Sequence, residues 1–221
     1  MKTKLIYAIA LTLLVQITNA QTIGFRGGVN LSNMTMRVGG TDFTPESLYG
    51  FQFGPVVDFS LNKHFDFNTG LIYSLKGYNL KNPNYSLLGN ASFMNGMAKL
   101  SYMVIPLNFA YKIPFSSKSS FFVQAGPYVG LSMGGSVKSN NYLVPLQDIY
   151  QYGYLAKADY GIGAGAGLQF GHMIYTVNYE YGLRNLNAFQ YTSDITGSFR
   201  TASASFTITY MFGKLGGKVT E

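Results

Sequence analysis

The sequence predicts an all-β fold: an eight-stranded antiparallel up-and-down β-barrel that crosses a membrane. Apolar and polar residues alternate along eight segments, which is the pattern of strands with two unlike faces. These segments are roughly 12–15 residues long, whereas strands in soluble sheets usually have about 5–6. Only 11% of the 221 residues are charged, against about 25% in soluble domains. The chain therefore cannot supply an ordinary water-facing surface.

The first 20 residues are predicted to be a secretory signal peptide. Two lysines precede an apolar run from Leu5 to Val15, and Ala20 ends a small-residue cleavage site. The alternative, an uncleaved anchor helix, is disfavoured because this run is short for a membrane span. We predict cleavage after Ala20, a barrel domain over 21–213 and a short C-terminal tail over 214–221.

The eight predicted strands follow in order along the barrel domain. Their approximate bounds are 22–34, 49–61, 65–78, 98–113, 121–133, 157–170, 173–184 and 199–212. The apolar faces include, strand by strand, Phe25, Phe53, Phe67, Phe109, Val123, Ile162, Val177 and Phe206. Pro106 falls on the opposite face of the fourth strand, where we expect a local bulge because proline cannot donate to a sheet ladder.

The connections between these strands alternate in length. They are short around Asn62, Ser116 and Gly171, and the long ones cover 35–48, 79–97, 135–156 and 185–198. Tight turns at one end and long loops at the other are typical of transmembrane β-barrels with an even number of strands. With both ends of the barrel at the short turns, we expect the long loops to face the cell exterior.

Three features favour lipid on the apolar face over a soluble, lipocalin-like barrel that binds a ligand inside. The polar faces carry Gly, Ser, Thr, Asn and Gln with isolated charges rather than many Lys and Glu. Four glycines from Gly161 to Gly167 share one face, which suits a narrow and crowded lumen. Aromatic residues gather near strand ends, as in interface girdles. We therefore predict that the apolar face touches lipid.

Four strand segments resemble the PorT-like outer-membrane β-barrel family: GFRGGVNLSNM, GLIYSLKGY, YMVIPLNFAYK and GAGAGLQF. The likeness covers about Gln21 to Gly213. It implies an eight-stranded barrel in the outer membrane of a Gram-negative bacterium. Through the family's namesake, it also implies a role in protein secretion. Barrel chains often stop at a terminal aromatic residue, whereas here Phe212 is followed by GKLGGKVTE.

The residues do not indicate an enzyme, a cofactor or a metal site. The chain has no cysteine, and its two histidines, His64 and His172, fall in predicted short turns. GIGAGA, residues 161–166, loosely matches a dinucleotide-binding pattern but lies inside an alternating strand rather than before a helix. The basic residues are scattered, so nucleic acid is not expected as a partner.

Charged residues on the lumen face should pair, because a lone charge is costly in a low dielectric. Arg26 and Asp58 lie on neighbouring predicted strands at similar height, and we predict that they form an ion pair. Glu180 is a candidate third member of this lumen charge network. The network could act as a plug or as a gate, and a plug is favoured because eight strands leave room only for side chains.

The long segment 135–156 contains Tyr142, Tyr150, Tyr152 and Tyr154. Tyrosine is enriched in recognition surfaces, so these four are candidate interaction residues. A loop packed on itself over the barrel mouth, or a part of the aromatic girdle, explains them slightly better. The sequence thus predicts a monomeric, non-enzymatic barrel in contact with outer-membrane lipid. Its role is structural or one of interaction through the outer loops, with other envelope proteins as candidate partners and secretion as the alternative.

Overall fold

The computed structural model describes residues 21–38, 41–43, 45–80, 96–139, 142–145, 155–186 and 197–212. The predicted signal peptide and the tail lie outside them. Within these ranges the strands are β1 (Gln21–Val38), β2 (Thr41–Phe43), β3 (Glu46–Ser60), β4 (Phe65–Gly70), β5 (Ile72–Leu80), β6 (Gly96–Ser116), β7 (Ser119–Ser139), β8 (Tyr142–Pro145), β9 (Ala158–Phe170), β10 (Met173–Gly182) and β11 (Gly197–Phe212).

These strands close into a ring of antiparallel pairs. Hydrogen-bonded neighbours run β1, β11, β10, β9, β7, β6, then β4 with β5, then β3, and β3 pairs with β1 again. β4 and β5 form one wall strand interrupted at Leu71, while β2 and β8 pair with the ends of β1 and β7. The wall therefore has eight strands, which confirms the predicted up-and-down barrel.

Both ends of the wall meet at the end of the barrel with the short turns. Ile23 of β1 pairs with Phe212 of β11 there. The side-chain Oδ1 of Asn62 shapes one turn by accepting from the backbone N–H groups of His64 at 2.8 Å and Phe65 at 2.9 Å. Gly171 shapes another with φ of 56°, a conformation that favours glycine. We call this the short-turn end and the opposite end the long-loop end.

The large apolar side chains face outward along the wall. Val177 is 61% exposed, whereas Thr209, on the inner face of the next strand, is 1% exposed. A lipocalin-like barrel requires the opposite arrangement, an apolar interior beneath a polar exterior. Aromatic rings pack together outside near the short-turn end, with centroids 5.2 Å apart for Phe65 and Tyr111 and 5.1 Å for Phe67 and Phe109.

In the part of the chain that the structure describes, no helix is long and apolar enough to span a membrane.

The glycine row of β9 makes room for large side chains in the lumen. A Cβ atom added at Gly161 would lie 2.8 Å from a ring carbon of Tyr128, and one at Gly167 would lie 2.5 Å from the ring of Phe122. Both rings come from β7, the neighbouring strand. The crowded lumen expected from these glycines is therefore present.

Pro106 causes a different irregularity from the predicted bulge. The register between β6 and β7 is unchanged on either side of Pro106, but the pairing skips Leu107 and Asn108. By that register, Pro127 of β7 stands opposite Leu107. Each proline removes one N–H donor, so two of them interrupt the ladder without an extra residue in either strand.

Candidate functional site

The lumen carries one charged cluster near the short-turn end, built on Lys112 of β6. Its Nζ lies 3.8 Å from Oδ2 of Asp58 on β3 and forms a closer ion pair with Asp66 on β4. Asp66 is buried, and Ser60 Oγ donates a hydrogen bond to its Oδ1 at 3.0 Å. One ammonium group thus holds two carboxylates from neighbouring strands.

The predicted ion pair between Arg26 and Asp58 is not formed, because the register separates the two residues. Arg26 pairs with Gly54, whereas Asp58 pairs with Thr22. Gly54 and Asp58 are four residues apart on β3, which is about 13 Å along a strand. Arg26 Nε instead donates to Thr209 Oγ1 at 3.3 Å.

Sequence reasoning missed Lys112, although a signal for it was present. Asn108 and Ala110 precede it at even positions of β6, and both are buried in the lumen. Extending that alternation by one step places Lys112 on the same face.

A second ion pair crosses the lumen closer to the long-loop end. Lys76 Nζ on β5 donates to Glu180 Oε2 on β10 at 2.7 Å, and these strands are not neighbours in the wall. The same ammonium lies 4.9 Å from the ring centroid of Tyr128, a cation–π distance. Glu180, the candidate third member of the predicted network, therefore has Lys76 as its partner rather than Arg26.

A hydroxyl network adjoins this pair. Tyr128 OH and Thr201 Oγ1 donate to the same oxygen of Asp159, Oδ2, at 3.2 and 2.7 Å. All three residues are buried. The other oxygen of Asp159, Oδ1, has no hydrogen-bond partner among the described residues. Strands β7, β9 and β11 are thus joined at one level of the lumen.

Neutral amides fill the lumen between the two charged levels. Asn68 Nδ2 of β4 donates to Gln124 Oε1 of β7 at 3.3 Å, and Gln124 Nε2 donates to Asn178 Oδ1 of β10 at 3.3 Å. No two of these three strands are neighbours in the wall, so the chain of amides crosses the lumen. Such a network braces the barrel from within.

Apolar side chains fill the lumen at the long-loop end. Met34, Leu100 and Phe199 face inward from wall strands and are buried. Leu155 and Leu186 join them from segments outside the wall strands, and a backbone hydrogen bond from Leu186 N to Phe199 O at 2.8 Å anchors one of these segments. We call these five residues the apolar cap.

The free space within the described part of the barrel is small. Two cavities of about 30 and 20 Å³ both border Arg26, and neither can hold much more than ordered water. The short-turn end is different, because it opens into a bowl of about 450 Å³. Asp66 and Lys112 border both the bowl and the larger of the two cavities. Their ion pair therefore lies between the bowl and that cavity.

The two histidines occupy the short turns, as the sequence indicated. His64 Nδ1 lies 3.2 Å from the carbonyl oxygen of Lys112, and His172 Nδ1 lies 2.9 Å from that of Met211. A carbonyl oxygen can only accept, so Nδ1 carries the proton in both rings. Each histidine thus ties a turn to a neighbouring strand. Among the described residues, no three His, Asp or Glu side chains are placed to hold a metal ion.

The candidate interaction tyrosines are only partly described. Tyr142 begins β8 and pairs with Ser139 of β7, so the long connection starts as a short hairpin. Tyr150, Tyr152 and Tyr154 lie outside the described residues. The end of this connection is described again at Leu155, which packs into the apolar cap.

Comparison with solved structures finds small outer-membrane barrels. Ail, the attachment invasion locus protein of Yersinia pestis, is 12% identical, with 87% of this chain and 99% of Ail covered and a TM-score of 0.40. Neisserial surface protein A is 11% identical, with 85% and 97% covered and a TM-score of 0.44. The outer membrane enzyme PagL is 13% identical, with 82% and 98% covered and a TM-score of 0.43. No curated protein matches the sequence.

A family model gives the assignment. The model described as outer membrane protein beta-barrel domain matches residues 19–188, well over half of the chain. The closed eight-stranded ring and its outward apolar face agree with that match. The chain belongs to the outer membrane protein beta-barrel domain family and is a barrel of the bacterial outer membrane.

Proposed function

We propose that this protein is a non-conducting, non-enzymatic barrel with a structural or interaction role through its extracellular loops. The observation that carries the proposal is the filled lumen. The apolar cap occupies the long-loop end, and the Lys76–Glu180 pair crosses the lumen beneath it. An eight-stranded barrel is just wide enough for side chains to fill. Because the described residues fill the lumen in this way, the surfaces outside the membrane are left to carry a function.

In this proposal the short turns face the periplasm and the long-loop end faces the cell exterior, as is usual for outer-membrane barrels. Lipid covers the outward apolar side chains. The barrel is a monomer because its wall closes on itself through β1 and β3, which leaves no wall strand in need of a second chain.

The absence of catalysis is also part of the proposal. The lumen carboxylates of Asp58, Asp66 and Glu180 are each engaged by a lysine, and His64 and His172 each use Nδ1 to fix a turn. A general base needs a lone pair within reach of substrate. Glu180 pairs with Lys76 beneath the apolar cap, and Asp66, which borders the bowl, has its two oxygens engaged by Lys112 and Ser60.

Recordings from planar bilayers test the closed lumen. We expect no steady conductance from the purified, refolded protein. A stable open channel would overturn the proposal. Heat-modifiable gel mobility provides the folding control, because folded barrels resist SDS until boiled.

Loop replacement tests the interaction role. Residues 146–154 would be replaced by a short Gly/Ser linker between Pro145 and Leu155, and surface partners would be captured by cross-linking on intact cells. We expect a loss of cross-linked partners with unchanged heat-modifiable mobility. The matched control shortens residues 81–95 in the same way. An unchanged set of partners in both variants would count against the role of the loops.

The segments that resemble PorT-like barrels support a second candidate function, as an outer-membrane component of a protein secretion system. A deletion strain would then lose a subset of secreted proteins, measured by mass spectrometry of the culture medium. An unchanged set of secreted proteins would exclude this candidate.

A further inference from the structure

The bowl at the short-turn end has no part in the proposed function, yet it has the dimensions of a binding site. Its volume of about 450 Å³ lies within the range of small-molecule pockets, about 300–1,000 Å³. The turn between β3 and β4, residues 61–64, and the turn between β6 and β7, residues 117–118, form its rim.

The bowl carries more positive than negative charge. Lys63, Lys112 and Lys118 line it, whereas Asp66 is the one carboxylate in its lining. Lys112 already forms ion pairs with Asp66 and Asp58. Lys63 and Lys118 form no ion pair with any described residue and are exposed at the rim. Two ammonium groups are therefore available to an anion in the bowl.

Neutral donors supplement these charges. Four serines of the β6–β7 turn region also line the bowl: Ser116, Ser117, Ser119 and Ser120. Asn62 also lines it, and its Oδ1 is occupied by two backbone N–H groups, which leaves Nδ2 to donate. The bowl therefore offers ammonium, hydroxyl and amide donors together.

Both turns are held in place before any ligand binds. Lys112 N donates to the carbonyl oxygen of His64 at 2.7 Å, and Gly171 N donates to that of Lys118 at 2.7 Å. Donors on rigid turns lose little conformational entropy when they bind, so the arrangement favours recognition of a small ligand.

We propose that this bowl binds a phosphate group on the periplasmic side of the membrane. Phosphate presents several oxygens in a tetrahedral arrangement, so it can accept from donors on two separate turns at once. Lysine is a common phosphate ligand and acts as a point charge. The group could come from an anionic lipid headgroup or from a soluble phosphorylated compound, and both present the same oxygens to the bowl.

Amide NMR of the full chain in phosphate-free maltoside micelles tests the site. One arm adds inorganic phosphate, and the other adds phosphatidylglycerol to the micelles. In at least one arm we expect saturable changes of amide chemical shift confined to residues 61–64 and 112–120. The apparent affinity should fall when NaCl is added, because salt screens the lysine charges. A response to inorganic phosphate indicates a soluble source, and a response to phosphatidylglycerol alone indicates lipid. No saturable response in either arm overturns the proposal.

A matched pair of variants locates the effect. Lys63→Gln/Lys118→Gln should weaken the apparent affinity about tenfold, the effect expected when two exposed charge interactions are lost. Lys99→Gln/Lys157→Gln removes the same charge from exposed lysines at the long-loop end and should leave the affinity unchanged. Equal weakening by the two variants would overturn the site. Heat-modifiable mobility confirms that both variants fold.

Discussion

The two ends of the lumen fill the same narrow barrel with different chemistry. At the short-turn end, the side chains of Lys112 and Asp58 are each 18% exposed, and Lys112 and Asp66 border an open bowl. Nearer the long-loop end, the Lys76 side chain is 4% exposed, and that of Glu180, although 17% exposed, borders only an internal cavity of about 20 Å³. Water can therefore solvate the first cluster if it is disturbed, whereas the second must satisfy its charges within the protein. Solvent access should therefore determine how much stability is lost when one charged partner of a cluster is removed.

Thiol labelling should give the largest contrast between the two ends. The chain has no cysteine, so single-cysteine variants report one position each. Ser120 borders the bowl, and Ser203 lies in the lumen beneath the apolar cap, with both residues similarly buried at 7% and 5% exposure. We expect a water-soluble maleimide to label Ser120→Cys readily in the folded barrel and to leave Ser203→Cys unmodified.

Boiling before labelling is the control, because both thiols must then react. Fast labelling of Ser203→Cys in the folded barrel would show that water reaches the space beneath the cap. The distinction between an open and a closed end would then fail.

Removing the lysine at the closed end should be the most destabilising charge substitution. Lys76→Met leaves the Glu180 carboxylate without its cation, and breaking a buried pair in this way costs about 3–5 kcal/mol. Lys112→Met should cost less, about 1–3 kcal/mol, because Asp66 borders the open bowl and the Asp58 side chain is already 18% exposed, so that water can solvate both. Urea unfolding in phospholipid vesicles measures the free energy of unfolding of both variants. It is followed by gel mobility and by tyrosine fluorescence, which can be read directly because the chain has no tryptophan.

The double variant Lys76→Met/Glu180→Gln separates the charge from the packing. It removes both charges, so it should recover most of the stability lost in Lys76→Met. If Lys76→Met and Lys112→Met were equally destabilising, solvent access would not explain the difference between the two clusters.

The apolar cap should depend on close packing. Leu186→Ala removes a buried side chain from the cap and should lower the free energy of unfolding by about 2–4 kcal/mol, because it leaves a cavity. Leu183→Ala makes the same change on a side chain that is 47% exposed, so it should cost clearly less. The same urea titration compares them, and equal losses would mean that Leu186 contributes no packing to the cap.

Periodicity predicted the fold well because a barrel wall is specified by local alternation. Residues such as Val177 and Thr209 reveal their faces through their immediate neighbours, and the turn residues Asn62 and Gly171 mark the short connections. The resemblance of four strand segments to known barrels pointed to the same membrane.

The lumen contacts could not be predicted in the same way. Whether Arg26 meets Asp58 depends on the stagger between β1 and β3, which alternation does not encode. The pair of Lys76 and Glu180 joins strands that are distant in both sequence and ring order. The position of Leu186 in the apolar cap depends on how a connection folds back over the mouth, and no local pattern marks it.

Substitutions in the glycine row of β9 should have the smallest effect on stability, and they test how tightly the closed end is packed. A Cβ atom at Gly161 would lie 2.1 Å from the carbonyl oxygen of Tyr181 and 2.8 Å from the ring of Tyr128, which also binds Asp159. At Gly163 the nearest atoms would lie 3.4 Å away. Gly161→Ala should therefore destabilise the barrel by about 1–3 kcal/mol through overpacking. Gly163→Ala should have little effect, and the two variants share a strand, a face and a side-chain change.

Because Tyr128 contacts both Lys76 and Asp159, Gly161→Ala should also raise the labelling of Ser203→Cys. If the two alanine variants unfold at the same urea concentration, the backbone at Tyr181 and the ring of Tyr128 can both shift at little cost, and the closed end is less tightly packed than its contacts indicate.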